Sequence, residues 1–310
     1  MIPIGDYDDS HKQWPKIVRF EAMRYAAHRV CHLRRRVGLD TDSGEKKYMW
    51  FRDVSVYRVA DIDFIVSRYG LPDNDKNPWS FYVSGFTFDW PRFNNEQGRP
   101  PSFVSRREHN AWRDDVFKPG LDDYILRKDL VFEIDRHKDQ PLDVAGRAAQ
   151  WLLDGLNDKG MLHVGTECIF SGDGGYHVVV PDVEEFFDDI GYKMYKRTAK
   201  SLSRGAIAVA QYLLDEFLPG SHVANHGGRG RDYAEYDIHF SPMFPQGVRR
   251  CAYALTEYGT ISLPVTSKEL TEVTDVNYYK PYRVMNRYRI KGRGCPSVYD
   301  MSASIEGGFN

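Results

Sequence analysis

The chain has no Cys-x-x-Cys pair. Its four cysteines, Cys31, Cys168, Cys251 and Cys295, lie far apart. That excludes the zinc knuckle that paired cysteines build, so no zinc is expected. Isolated thiols fit a reducing cytoplasm. Net charge is also scarce, at −2 over 310 residues. No global field draws in a polyanion, and any basic surface has to be local. No apolar run is long enough to cross a bilayer, so no membrane partner is expected. Met1–Ser10 lacks the apolar core of a signal peptide. Internal repeats and low-complexity tracts are absent. What remains is an ordinary apolar fraction in a chain long enough for one large domain or two small ones.

Along the chain, helical and strand patterns mix. Met23, Ala26, Val30, Leu33 and Val37 recur at helical spacing, so Pro15–Val37 reads as a helix closed by Gly38. On it, His28 and His32 read as structural. Asp53–Val59 and Ser80–Phe88 read as strands. Asn94–Ser102 reads as a loop, from Asn-Asn, Gly98 and Pro100-Pro101. Leu130–Ile134, Glu167–Phe170 and Tyr176–Val180 are further strands. Asp143–Leu156, Glu184–Phe187 and Leu202–Leu218 are helical. Asp237–Ser241, Ala252–Thr256 and Thr260–Pro264 form a last strand-rich stretch. The mixture predicts an α+β fold.

Two features carry chemistry. Asp129–Asp135 reads Asp-Leu-Val-Phe-Glu-Ile-Asp, an apolar run ending in Glu133 and Asp135. Residues i and i+2 of a strand share a face, so the two carboxylates project side by side. Like charges that close call for a cation between them, and hard divalent ions such as Mg²⁺ or Mn²⁺ take oxygen ligands of this kind. The second feature is Phe170–His177, Phe-Ser-Gly-Asp-Gly-Gly-Tyr-His, a glycine turn feeding a strand. Glycines let backbone N–H groups approach phosphate oxygens. Together they point to metal-assisted chemistry on a phosphate-bearing substrate.

The order of these motifs resembles the archaeo-eukaryotic primase superfamily, in particular the catalytic small subunit of DNA primase. Phe132-Glu133-Ile134-Asp135 matches its acid pair, with Glu for the first Asp. Ser171–His177 fits its Ser-Gly-x-x-Gly-x-His turn. Asp237–Ser241 fits its third, Asp-bearing strand, and Ile261–Val265 the strand that ends the pattern. The resemblance spans roughly Asp129 to Val265. It implies a catalytic β-sheet subdomain like an RNA-recognition motif beside a second α/β unit. These two intertwined subdomains occupy residues 1–270, followed by a basic, Tyr-rich segment over 271–310. It also implies a two-metal site of Mg²⁺ or Mn²⁺ held by Glu133, Asp135 and Asp237. Ser171, Gly172 and His177 would then line a triphosphate pocket with Arg249 or Arg250. A gapless alignment favours Arg249, while anchoring on Ala252–Leu255 favours Arg250.

Departures from the pattern are visible. Asp173 and Gly174 stand where the family often carries basic residues. Ala254-Leu255-Thr256 replaces a Ser-x-His turn, leaving Thr256 in the histidine's place. Two basic stretches are candidates for nucleic acid. One is the His222–Arg231 loop, with Arg229 and Arg231. The other is Tyr278–Arg293, where Lys280, Arg283, Arg287 and Arg289 interleave with tyrosines. The expected function is template-directed nucleotidyl transfer, making or extending primers. Its partners would be a single-stranded DNA template, NTPs or dNTPs, and a helicase or large primase subunit. A cytoplasmic replication site in a cell, plasmid or virus is the expected location. The rival readings are a gap-filling repair polymerase of the same superfamily, and a non-catalytic nucleic-acid-binding subunit that kept the fold.

Overall fold

A computed structural model describes residues 28–39, 46–55, 80–97, 120–162, 164–223, 230–254 and 260–280, with positions 22, 25, 26, 111 and 256. The centre is a sheet in the order β13-β7-β8-β6-β11-β10-β9. Its strands are β6 (Leu130–Arg136), β7 (Glu167–Phe170), β8 (Gly175–Val180), β9 (His222–Val223), β10 (Gly230–Asp232), β11 (Tyr236–His239) and β13 (Leu263–Pro264). A second sheet runs β12-β3-β1-β2, from β1 (Val30–Leu39), β2 (Lys46–Ser55), β3 (Ser80–Ser84) and β12 (Val248–Arg250). A ribbon pairs β4 (Phe86–Phe88) with β5 (Ile125–Lys128). The helices α1 (Trp90–Gln97), α2 (Leu142–Asp158), α3 (Ala199–Phe217) and α4 (Ser267–Glu272) accompany them.

Strand alternation gives the central sheet two unlike faces. Leu130, Phe132 and Ile134 of β6, with Tyr176 and Val178 of β8 and Ile238 of β11, form one fully buried apolar face. Helices α2 and α3 cover it with stripes that include Leu152, Leu156, Leu213 and Leu214. Gly146 of α2 lets α4 lie against it, because a Cβ there would overlap the Leu270 carbonyl. The other face carries Glu133, Asp135, His177, Asp237 and His239. At the turn between β7 and β8, Arg250 of β12 in the second sheet bonds the Ser171 carbonyl. No helix among the described residues is long and apolar enough to cross a membrane.

Three sequence expectations need correction. Helical positions 22, 25 and 26 end at His28, whose φ of 62° breaks the helix, and Val30–Leu39 is a strand. The apolar spacing fitted a helix, but Cys31 and Leu33 pair on both sides, with β2 and β3. His28 and His32 are therefore not neighbours on a helix. Second, the expected Asn94–Ser102 loop begins inside α1. Asp89 accepts the Arg92 N–H at 3.1 Å, and Trp90 and Phe93 pack into an aromatic group with Phe88 and Tyr124. Third, Ala252–Thr256 is not a strand. Tyr253 has φ 63° in a turn closed by Ala254 N–H to the Cys251 carbonyl, and the strand is Val248–Arg250. Residues 271–280 continue the fold: Tyr279 is buried and stacks on Phe170 with ring centroids 3.9 Å apart. That ring is not available to stack on a base.

Candidate active site

Register brings the three acids together. On β6, Glu133 and Asp135 share a face. Asp237 of β11 lies directly opposite Asp135, and His239 opposite Glu133. On the other flank β8 sets His177 opposite Glu133 and Gly175 opposite Asp135. Directly opposed residues have Cβ atoms about 5 Å apart, so Asp135 and Asp237 are cross-strand neighbours on one face. Gly175 makes room for them, since a Cβ there would overlap the Ile134 carbonyl and the Asp135 carboxylate.

Each acid has a polar neighbour. Glu133 Oε2 accepts the Ser241 hydroxyl at 2.7 Å, and its Oε1 lies 3.6 Å from His177 Nε2. Asp237 Oδ1 is 3.1 Å from His137 Nε2, and Asp135 Oδ2 is 3.9 Å from His239 Nε2. Burial works to raise the Glu133 carboxyl, but His177, the Ser241 hydroxyl and His239 outweigh it and lower it to about 2. Asp135 goes the other way. Burial and the Glu133, Asp173 and Asp237 carboxylates, opposed by Arg250, push it up to about 8. Burial also lowers the pKa of His177, against the pull of Glu133, so its ring favours the neutral form. Both His177 ring nitrogens are buried without a hydrogen-bond partner.

Three carboxylates on rigid adjacent strands are a hard-oxygen donor set, and such a set suits Mg²⁺ or Mn²⁺. The raised Asp135 fits the same chemistry, because a cation is what would let it ionise beside its neighbours. Among the described residues no group of three or more His, Cys, Asp or Glu side chains closes into a ready-made cage. The acids are turned instead toward His177, Ser241, His239 and His137.

The glycine turn is braced from outside. Ser171 N–H bonds the Gly175 carbonyl at 2.9 Å. Arg250 donates from Nη1 to the Ser171 carbonyl and from Nη2 to the Tyr82 hydroxyl at 2.9 Å. Gly172, at φ 97°, has its carbonyl held by Thr260 and, at 3.5 Å, by Thr256. A Cβ on Gly172 would overlap Thr256. Arg250 and Thr256 thus hold the turn's shape. Arg249 is buried, near Asp129 and Glu167, with Nε and Nη1 unpartnered. Ser171 and His177 are both buried, and His177 shares the acid face. Arg231 of β10 pairs with Asp215 at 3.1 Å. Lys280 follows the 3-10 turn Val276–Tyr279. Arg229, Arg283, Arg287 and Arg289 lie outside the described residues.

Sequence reading missed His137, His239 and Ser241 as parts of this site. Period two was the available signal. His137 follows Asp135 by two residues and His239 follows Asp237 by two, so each continues its acid's face.

No family model matches the chain, and no curated protein matches it. Among solved structures, it resembles the polymerase domain of Mycobacterium tuberculosis Ligase D in complex with DNA. The TM-score is 0.51 at 14% identity, over 94% of this chain and 96% of that one. The fold is similar to that of a polymerase domain. At that identity the likeness concerns architecture: mixed α and β, built on antiparallel sheets.

Proposed function

We propose that this protein is a template-directed nucleotidyltransferase of the archaeo-eukaryotic primase type. It would join NTPs or dNTPs to a 3′-hydroxyl on a DNA template. The observation that carries the reading is the cross-strand convergence of Glu133, Asp135 and Asp237 on one face. The polymerase-domain fold and the motif order support it.

Glu133, Asp135 and Asp237 would hold Mg²⁺ or Mn²⁺. When bound, such ions supply positive charge for the attacking hydroxyl and the departing pyrophosphate. The rest falls to the chain. The Ser171–Gly175 turn presents backbone N–H groups to phosphate oxygens. Neutral His177 donates a ring N–H to the triphosphate. Arg250 and Thr256 act through the turn they brace. Arg249, buried near Asp129 and Glu167, is the other candidate for a phosphate. Asp173, close enough to Asp135 to raise it, opposes an unneutralised triphosphate, so metal and nucleotide bind together.

The test offers NTPs and dNTPs separately, with Mg²⁺ or Mn²⁺, on templates with and without an annealed primer. Extension of the primed template, lost in Asp135→Asn with the circular dichroism unchanged, is expected. Products on unprimed template would identify a primase. Binding of DNA without incorporation under every condition would leave the non-catalytic subunit as the reading. Thr256, turned onto Gly172 rather than toward the cleft, is the observation on that side.

A further inference from the structure

We infer that Ser241 is a positioning residue that fixes the Glu133 carboxylate for metal binding. The inference rests on the nucleotidyl-transfer reading and deepens it. Glutamate at position 133 stands where the resembling family carries aspartate. Its extra methylene adds a rotatable bond, and a ligand with more rotamers loses more entropy when held. Here both carboxylate oxygens have neighbours: Oε2 takes the Ser241 hydroxyl at 2.7 Å, and Oε1 faces buried His177 at 3.6 Å.

The hydroxyl is itself fixed. Ser241 opens the 3-10 turn Ser241–Met243 directly after β11, closed by Met243 N–H to the Phe240 carbonyl at 2.9 Å. Gly247 packs under it, where a Cβ would overlap the Ser241 carbonyl. From the other side, buried Lys128 donates to the Pro242 carbonyl at 3.2 Å, its Nζ 4.2 Å from the Phe86 ring centroid. Lys128 lies just before β6 in the chain. The turn is therefore tied to the start of the strand that carries Glu133, and Ser241 bridges the turn back to that strand's middle. Hydrogen-bond partners of a ligating carboxylate set its orientation. Ser241 touches Glu133 and not the reacting atoms, so its effect runs through that carboxylate.

Metal affinity tests this directly. Free Mn²⁺ is counted by electron paramagnetic resonance as it is titrated into the metal-free protein. The variants are Ser241→Ala, Ser241→Thr, Glu133→Asp, the double variant Glu133→Asp/Ser241→Ala, and Asp135→Asn as the control. Ser241→Ala should weaken Mn²⁺ binding by about 10-fold or more, and Ser241→Thr, which keeps the hydroxyl, should restore it. In Glu133→Asp the shortened side chain no longer reaches position 241, so adding Ser241→Ala should change nothing further. Circular dichroism and melting temperature verify that each variant folds. Loss of binding in Asp135→Asn with Ser241→Ala unchanged overturns the role of Ser241 and leaves the nucleotidyl-transfer reading standing. An undiminished Ser241→Ala effect in the Glu133→Asp background also overturns it. A wild type that binds no Mn²⁺ removes the metal site, and this role with it.

Discussion

Asp135 and Asp237 stand directly opposite each other on neighbouring antiparallel strands. Two carboxylates so placed are an electrostatic fault in an apo protein and an asset in a metal-binding one. The fault has a measurable form. Asp135 is pushed up to about 8 in the fold by burial and by Glu133, Asp173 and Asp237, against about 3.9 in an unfolded chain. Between those values the folded state binds the extra proton, so stability falls as pH rises from about 4 to about 8. Glu133 is lowered to about 2, so its contribution is lost only under more acidic conditions. In EDTA Asp135 should therefore favour a higher melting temperature at pH 5 than at pH 8, against His177, whose lowered pKa acts the other way. Asp135→Asn should flatten that slope and raise the melting temperature at pH 8. Parallel curves for the variant and the wild type would refute the crowding of these acids. Mn²⁺ added at pH 8 should recover stability in the wild type and not in Asp135→Asn.

The second expectation concerns His177. It is buried on the acid face with both ring nitrogens unpartnered, and a hydrogen bond to a phosphate would satisfy one of them. A hydrogen bond to a charged group contributes about 1.5–3 kcal/mol, or roughly 10- to 100-fold in affinity. His177→Ala should weaken NTP binding on that scale, measured by calorimetry with Mn²⁺ present, and leave DNA affinity unchanged. Equal losses in both would mean that the ring supports the fold around Glu133 and not the nucleotide.

Much of this site was legible in the sequence, for reasons that differ by residue. Glu133 and Asp135 end a short apolar run, and the run reads as a strand. The Ser171–Gly175 turn is legible because glycines punctuate two apolar segments. Asp237 has no such local signature, and only motif order linked it to the pair; its pairing with Asp135 is a property of register. Val30–Leu39 was misread because its apolar spacing satisfies a helix, and partners distant in sequence decided for a strand. That Arg250 braces the glycine turn could not be read at all, because its partners Ser171 and Tyr82 are far from it in sequence.

Gly175 offers a purely steric test. Its missing Cβ accommodates the Ile134 carbonyl and the Asp135 carboxylate. Gly175→Ala must push β8 away from β6 or swing Asp135 out of register with Asp237. Overlap with backbone in a core strand belongs to the costly class of substitutions, so a loss above about 2 kcal/mol is expected by urea unfolding. Nucleotide incorporation should fall by more than the folded fraction does. Gly174→Ala, one residue earlier, meets only the Arg136 side chain at 3.9 Å and should leave stability close to that of the wild type. A Gly175→Ala protein as stable and active as its neighbour variant would show that the strands have slack at the acids.

The last expectation falls on the basic stretch beyond Lys280, which lies outside the described residues. Arg283, Arg287 and Arg289 sit in a segment rich in cations and tyrosines and without acids. Each phosphate neutralised on a single strand steepens the fall of log K with log salt by about 0.7. If all three contact template or primer, changing them together to Ala should flatten the slope by about 2 and weaken DNA binding most at low salt. NTP affinity should not change, because the acids and the glycine turn belong to the central sheet. Tyr279, buried against Phe170, anchors the chain just before this stretch. A variant with unchanged slope and unchanged binding at low salt would place these arginines away from nucleic acid, and a docking role toward a protein partner would then account for their charge.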